Sequence, residues 1–277
     1  MTADSAENTA MSPVLRWIRL PFERIGQGVI DLFVEVGQLA MLAGGGIAWS
    51  VRRPFRPSLL LQQCEYIGVG SLPIVLLTGL FAGLVFALQS SIAFAKFNAE
   101  SLVGATVVIS LARELGPVLT GLMVTGRAGS AIATELGTMR VTEQIDALES
   151  MAVSPIQYLV VPRVIALIFV MPMLTLLFNY VGFLGAFIVS VYQAGINEGT
   201  FMGRIYQVVD IVDLLGGLFK SACFGAVIGV IACYRGMNAS GGSRGVGVAA
   251  TRTVVSCSVS ILVLDYFLTT LLLMVFE

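Results

Sequence analysis

Long apolar runs separated by short polar segments dominate the chain after residue 57. Five of these runs reach the length of about 20 residues that an α-helix needs to cross the hydrocarbon core of a bilayer. They cover residues 67–94, 102–125, 159–192, 213–234 and 254–276. The pattern predicts an all-α integral membrane protein with five transmembrane helices.

The first 57 residues depart from this pattern. Residues 1–12 are polar and predict a disordered N-terminal tail. Within residues 13–57, a broken apolar stretch at 29–51 carries two carboxylates and is flanked by arginines and two tryptophans. Such flanks favour amphipathic helices that lie in the membrane interface. A sixth span over residues 29–51 is the competing interpretation. Residues 58–277 form the predicted transmembrane domain.

Composition supports a membrane protein and excludes several classes of site. The chain is 57% hydrophobic and 12% charged, whereas soluble domains carry about 25% charged residues. It contains no histidine, and none of its four cysteines lies in a C-x-x-C pair, so no metal site is predicted. The net charge of −1 gives no basic surface, and nucleic acid is not a predicted partner.

The distribution of basic residues predicts the orientation in the membrane. With five spans and a cytoplasmic N-terminus, 12 of the 16 basic residues fall on the cytoplasmic side. Only Lys96 and Arg204 fall on the far side, and Arg113 and Lys220 fall inside spans. The positive-inside rule therefore predicts a cytoplasmic N-terminus and a C-terminus on the opposite face.

Four charged residues lie well within the predicted spans, away from the span ends: Arg113, Glu114, Lys220 and Asp265. Each would cost at least about 2.5–3.5 kcal/mol on insertion scales if it met lipid alone. They must therefore face one another or a polar cavity. Ion pairs that clamp the bundle and a cavity wall that receives a substrate headgroup both remain open.

The loop between the second and third spans predicts a short amphipathic helix. Thr142 is the predicted cap, and Glu143 and Asp146 lie in the first turn, where the helix dipole favours negative charge. The helix either folds back on its own bundle or docks a soluble partner in a groove. The residues assigned to docking are Glu143, Gln144, Ile145, Asp146, Leu148, Glu149 and Met151.

Two further features concern packing and energy supply. The pairs Gly79/Gly83 and Gly225/Gly229 each place two glycines on one helix face, which lets neighbouring helices approach closely. The chain has no G-x-x-x-x-G-K-[ST] phosphate loop, so it is not predicted to hydrolyse ATP by that route. A transporter driven by ATP would need its motor on another polypeptide.

Four neighbouring segments carry a resemblance to a known family. They are Ala112–Pro117, Gly126–Ala131, Glu135–Leu148 and Met151–Pro155. In order and spacing they closely resemble the MlaE/YrbE permeases that work with MCE proteins. Weaker similarity covers about residues 60–275.

The resemblance implies a permease subunit of an ABC transporter that is not itself an enzyme. It implies a homodimer in the bacterial inner membrane that moves phospholipid between the inner and outer membranes. An MlaF-like cytoplasmic ATPase, which holds ATP and Mg, would dock on a coupling helix at about residues 139–152. An MlaD-like hexamer of MCE domains would lie on the periplasmic side, and a small MlaB-like STAS-domain protein can bind the ATPase.

The resemblance also implies a lipid pocket at Arg113, Glu114, Lys220 and Asp265, and no cofactor bound by this chain. Two other functions remain open. One is a permease of the same fold for another hydrophobic cargo, such as a sterol. The other is a membrane scaffold that transports nothing, although a passive anchor does not need charges inside the membrane.

Overall fold

A computed structural model of the protein describes residues 57–276, together with residues 30, 33–46 and 48. The chain divides into two compact units, Met1–Gly45 and Gly46–Glu277. In the first unit, residues 33–45 are helical. The tail predicted at residues 1–12, and most of the segment predicted as interfacial helices, lie outside the described residues. The choice between interfacial helices and a sixth span therefore stays a prediction.

The second unit consists of seven helices in its described part. They are α1 (Pro57–Ala95), α2 (Glu100–Val141), α3 (Gln144–Ser150), α4 (Ile156–Gln193), α5 (Glu198–Val208), α6 (Ile211–Met237) and α7 (Gly242–Phe276). Helices α1, α2, α4, α6 and α7 are long and apolar enough to cross a membrane. The described residues contain no strand. The predicted all-α membrane fold with five spans is confirmed.

Helix α2 is much longer than the apolar run that predicted it. It continues for 16 residues beyond residue 125, and its 42 residues extend about 63 Å at a rise of about 1.5 Å each. The apolar run ends where the helix leaves the hydrocarbon, but polar residues can continue a helix in water. Because the hydrocarbon core is only about 30 Å thick, α2 carries α3 well beyond it.

Helix α4 lies at the centre of the bundle. The most apolar stretch of α4 is 56% buried, whereas that of α7 is only 6% buried. Both predicted glycine pairs pack against α4. A Cβ atom at Gly79 would lie 2.8 Å from the carbonyl oxygen of Phe178, and one at Gly225 would lie 2.5 Å from that of Leu167. The predicted close helix packing is confirmed.

Two π-helical turns interrupt the α-helical geometry of α2, at Leu111–Leu115 and Thr125–Gly129. The first turn contains Arg113 and Glu114 and ends immediately before Gly116–Pro117. Pro117 has no backbone N–H to donate, so the regular α-helical hydrogen-bond pattern would be interrupted here even without the π-turn. π-Turns occur frequently at functional sites.

The predicted cap of the short amphipathic helix is wrong. Thr142 directly follows α2, and its hydroxyl donates a 2.8 Å hydrogen bond to the carbonyl of Thr138. Threonine side chains inside or at the end of a helix commonly make this hydrogen bond to the carbonyl four residues earlier, and a hydroxyl so engaged does not cap the next helix. Glu143 takes the cap position instead, with a left-handed φ of 60° and no side-chain cap hydrogen bond. Helix α3 therefore begins at Gln144.

Candidate functional site

Lys220 of α6 is the centre of the charge cluster inside the membrane. Its side chain is 2% exposed. Its ammonium group donates to Glu114 Oε2 at 2.7 Å, Asp265 Oδ1 at 3.2 Å and Thr269 Oγ1 at 2.6 Å. It also contacts the backbone carbonyl of Arg113 at 3.1 Å. Three of the four predicted charges therefore meet at one ammonium group, which links α2, α6 and α7.

Thr269 also belongs to this cluster, although it is uncharged and its place was not predicted from the sequence. Its hydroxyl accepts from Lys220 and lies 2.8 Å from the backbone carbonyl of Asp265 and 3.3 Å from both carboxylate oxygens of Glu114. A hydroxyl has one proton to donate, so only one of these acceptors receives it. The available signal was the spacing of four residues from Asp265, which places both side chains on one face of α7.

The side chain of Arg113 pairs with Asp213, a carboxylate that was not among the predicted site residues. Arg113 Nε and Nη2 lie 2.6 and 2.5 Å from Asp213 Oδ1. The Asp213 side chain is 4% exposed, and its Oδ2 accepts the backbone N–H of Asp210 at 3.2 Å. Asp210 and Asp213 form a capping box at the start of α6. The ion pair thus joins the first π-turn of α2 to the first turn of α6.

Asp213 changes the charge balance of the site. The four predicted charges are neutral as a set, but the structure adds a third carboxylate to two cations. Both cations have carboxylate partners within 3.2 Å. These pairs satisfy charges that would otherwise be costly in a low-dielectric interior. Ion pairing therefore accounts for the carboxylate contacts of both cations, and the choice between clamping and a cavity wall stays open.

A cavity of about 450 Å³ lies beside the cluster. Its charged lining consists of Arg113, Glu114, Asp210, Asp213 and Lys220, and its apolar lining includes Ile109, Val212, Leu272 and Leu273. Asp265 is not part of the lining and contacts Lys220 instead. A wall with both ionic and apolar parts suits an amphiphilic ligand. The assignment of these residues to a lipid stays a prediction.

Helix α3 turns only part of its apolar face toward its own chain. Ile145 is buried, Leu148 is half-buried, and Met151 is 65% exposed. Asp146 forms a 2.5 Å ion pair with Arg140 at the end of α2, whereas Glu149 is exposed. Helix α3 is therefore held to its own chain by Ile145 and Asp146, and it presents Glu149 and the adjoining Met151 outward.

Two residues of the recognised sequence motif hold α2 against its neighbours. Arg127 donates to the backbone carbonyl of Tyr66 at 2.5 Å, and its guanidinium carbon lies 4.6 Å from the centre of the Tyr66 ring. Glu135 lies 2.8 Å from Nη2 of Arg163, which is buried at the start of α4. The motif therefore also serves the packing of the bundle.

The chain is similar in sequence to a family of membrane permeases. The family described as "Permease MlaE" matches residues 60–271, which include all of the charge cluster. The chain is 43% identical over 247 residues to a probable ABC transporter permease protein of Rickettsia conorii, covering 89% of this chain and 95% of the relative.

Two further relatives have more specific names. The intermembrane phospholipid transport system permease protein MlaE of Haemophilus influenzae is 39% identical over 251 residues, covering 90% of this chain and 95% of that protein. The chloroplastic protein TRIGALACTOSYLDIACYLGLYCEROL 1 of Arabidopsis thaliana is 36% identical over 270 residues, covering 95% of this chain and 74% of that protein.

Proposed function

The chain belongs to the MlaE permease family, and from this premise we propose that it is the membrane-spanning subunit of an ABC transporter that moves phospholipid between the inner and outer membranes. The observation that carries the proposal is the cavity with ionic and apolar walls beside Lys220. Such a cavity can hold the polar and the apolar parts of one lipid. The proposed location is a bacterial inner membrane, with the N-terminus in the cytoplasm and the C-terminus in the periplasm.

The proposed motor is a separate cytoplasmic ATPase that binds ATP and Mg and docks on α3. The exposed Met151 and Glu149 support this, because they offer an apolar and an acidic contact to a groove. An MCE-domain hexamer on the periplasmic face and a STAS-domain protein at the ATPase complete the proposed assembly.

A second copy of the chain is the proposed partner within the membrane. Helix α7 is the least buried span and exposes large apolar side chains such as Val259, Leu262 and Phe267. The same helix contributes Leu272 and Leu273 to the cavity wall. Pairing near α7 would bring the cavities of two copies close to the same interface, where a lipid could be enclosed.

The proposed mechanism is alternating access driven from the cytoplasm. Helix α2 is continuous from Val141, next to α3, to the π-turn that holds Arg113 and Glu114. A movement of α3 when the ATPases close on ATP therefore reaches the cavity through one helix. The energy must come from the different affinities of ATP for the two conformations.

One experiment tests the assembly and the cargo together. The tagged protein is purified from native membranes in mild detergent, and all copurifying proteins and lipids are identified by mass spectrometry. We expect an ATPase with a phosphate loop, an MCE protein and stoichiometric phospholipid. A chain that purifies alone, under conditions that preserve other membrane complexes, would contradict the proposal.

A second experiment tests the docking role of α3. Glu149→Arg reverses the charge of an exposed residue, and Glu198→Arg, in the first turn of α5, is the matched control on the predicted periplasmic side. We expect Glu149→Arg to reduce lipid-stimulated ATPase activity of the reconstituted complex while the melting temperature stays unchanged. Equal activity in both variants would rule out a contact between Glu149 and the ATPase.

A further inference from the structure

A second cavity, of about 510 Å³, lies between the end of α6 and the start of α7. Three arginines line it: Arg235, Arg244 and Arg252. The rest of the lining is small, polar or apolar and uncharged, and includes Asn238, Ser240 and Val248. The lining contains no carboxylate, so the formal charge of this cavity is positive.

Two of the three arginines are available to a ligand. Arg235 donates a 3.0 Å hydrogen bond to Ser256 Oγ, which holds α6 against α7. Arg244 and Arg252 are exposed, and within residues 57–276 neither side chain forms a hydrogen bond or an ion pair. The N-terminal turn of α7 at the same cavity adds the positive end of the helix dipole. Together these features favour an anion.

The depth of the cavity indicates where that anion would lie. Arg235 is in the last turn of α6. Arg252 is ten residues after Gly242, about 15 Å along α7, and two residues before the apolar run that begins at Val254. Both arginines thus lie where apolar helix gives way to polar chain, which is the level of the lipid headgroups. Arginine side chains commonly reach the interface at this position.

The two cavities differ in what they offer to a phosphate. In the intramembrane cavity Arg113 and Lys220 are already paired with Asp213 and Glu114. A phosphate there would share these cations with the carboxylates, whereas the second cavity offers arginines that no carboxylate of its lining neutralises.

We propose that the arginine-lined cavity binds the phosphate of a phospholipid headgroup in the cytoplasmic leaflet, as a site at which the cargo is held beside the permease. The inference rests on the proposed function and orientation, and it adds a second lipid site at the opposite end of the spans. The shared chemistry is a phosphate ester, which either a membrane lipid or a soluble phosphate compound could supply.

The test uses the full-length chain in nanodiscs of phosphatidylcholine with phosphatidylglycerol, without ATPase or ATP. A photo-crosslinking amino acid replaces Val248, which lines the cavity and is 43% exposed. The crosslinked lipid is quantified by mass spectrometry in the otherwise unchanged chain and in Arg244→Ala/Arg252→Ala. Arg204→Ala, an exposed arginine of α5 on the other side of the membrane, is the matched control.

We expect the double variant to lower the phosphatidylglycerol crosslink at least about tenfold, the effect of losing one hydrogen bond to a charged group. The Arg204→Ala control should keep most of the crosslink, because Arg204 lies on the other side of the membrane. The Arg244→Lys/Arg252→Lys variant should also keep most of it, because lysine preserves the charge. The melting temperature should not change, since neither arginine side chain has a partner among residues 57–276 to lose.

Three results would overturn the inference. One is an unchanged crosslink in the double variant. Another is displacement of the crosslink by millimolar glycerol 3-phosphate, which would identify a soluble phosphate as the ligand. The third comes from purifying the double variant from native membranes in mild detergent: loss of the copurifying ATPase, with the nanodisc lipid crosslink retained, would assign the arginines to docking. If lipid and ATPase still copurify with the wild-type chain, these results leave the proposed transport function intact.

Discussion

At the residue scale, Lys220 decides whether the intramembrane carboxylates are tolerated. It is 2% exposed and contacts Glu114 and Asp265 on two other helices. A buried charge that loses its partner destabilises a protein more than a complete pair stabilises it. Removing this one cation leaves two carboxylates without a counter-charge.

We therefore expect Lys220→Met to destabilise the protein by an amount near the lower end of the about 3–5 kcal/mol typical of a broken buried pair. The lower end applies because Glu114 is 40% exposed and keeps part of its hydration. The measurement is the free energy of unfolding in detergent. Lys96→Met, at an exposed lysine, should have little effect, and Lys220→Met/Glu114→Gln should recover part of the loss.

The pair Arg113–Asp213 gives a second prediction at this scale. Arg113→Gln leaves Asp213 as a buried, uncompensated charge, whereas Asp213→Asn still permits the capping contact to Asp210. In a double-mutant cycle we expect a coupling of about 0.5–3 kcal/mol, the range for residues in direct contact. Thermal unfolding of both single variants and the double variant measures it. Strictly additive effects would mean that the ion pair does not contribute to stability.

At the scale of elements, backbone contact between α1 and α4 is the main determinant of packing. Gly83 of α1 faces the backbone carbonyl of Gly182, and Gly79 lies against Phe178 one turn earlier. Small residues allow this approach, and in lipid close packing replaces the hydrophobic effect as the force between helices.

A methyl group at Gly83 should separate these helices. We expect Gly83→Ala to lower the free energy of unfolding by about 1–3 kcal/mol, as overpacking does in other proteins. Gly203→Ala in α5 is the control, because nothing lies within 4 Å of its added Cβ. The comparison is made by thermal unfolding of both variants in the same detergent. A Gly83→Ala protein as stable as the control would show that α1 and α4 can move apart with no loss in the free energy of unfolding.

At the scale of the whole molecule, the orientation of the five spans can be measured directly. Phe97, between α1 and α2, and Ser240, between α6 and α7, are both exposed. Three spans separate them along the chain, so they lie on opposite sides of the membrane. In a chain with its four native cysteines replaced by alanine, a membrane-impermeant maleimide should label Phe97→Cys in spheroplasts. Ser240→Cys should be labelled only after the cells are opened. The reverse labelling pattern would show that the orientation in the membrane is opposite to the proposed one.

The number and type of the spanning elements were predictable from local properties alone. Five apolar runs of sufficient length give five helices, because backbone groups in hydrocarbon must form hydrogen bonds within their own helix. Helix ends were less predictable: α2 and α7 continue by more than ten residues outside the apolar runs. Hydropathy marks the edge of the hydrocarbon, and a helix does not have to end there.

Part of the candidate site was also predictable. The cost of isolated charges in lipid required Lys220, Glu114 and Asp265 to find partners, and they find one another. The partner of Arg113 could not be predicted, since Asp213 is 100 residues away along the chain, at the first residue of another predicted span. Which side chains meet depends on how α2, α6 and α7 rotate and cross, and those angles come from packing between helices that no local pattern encodes.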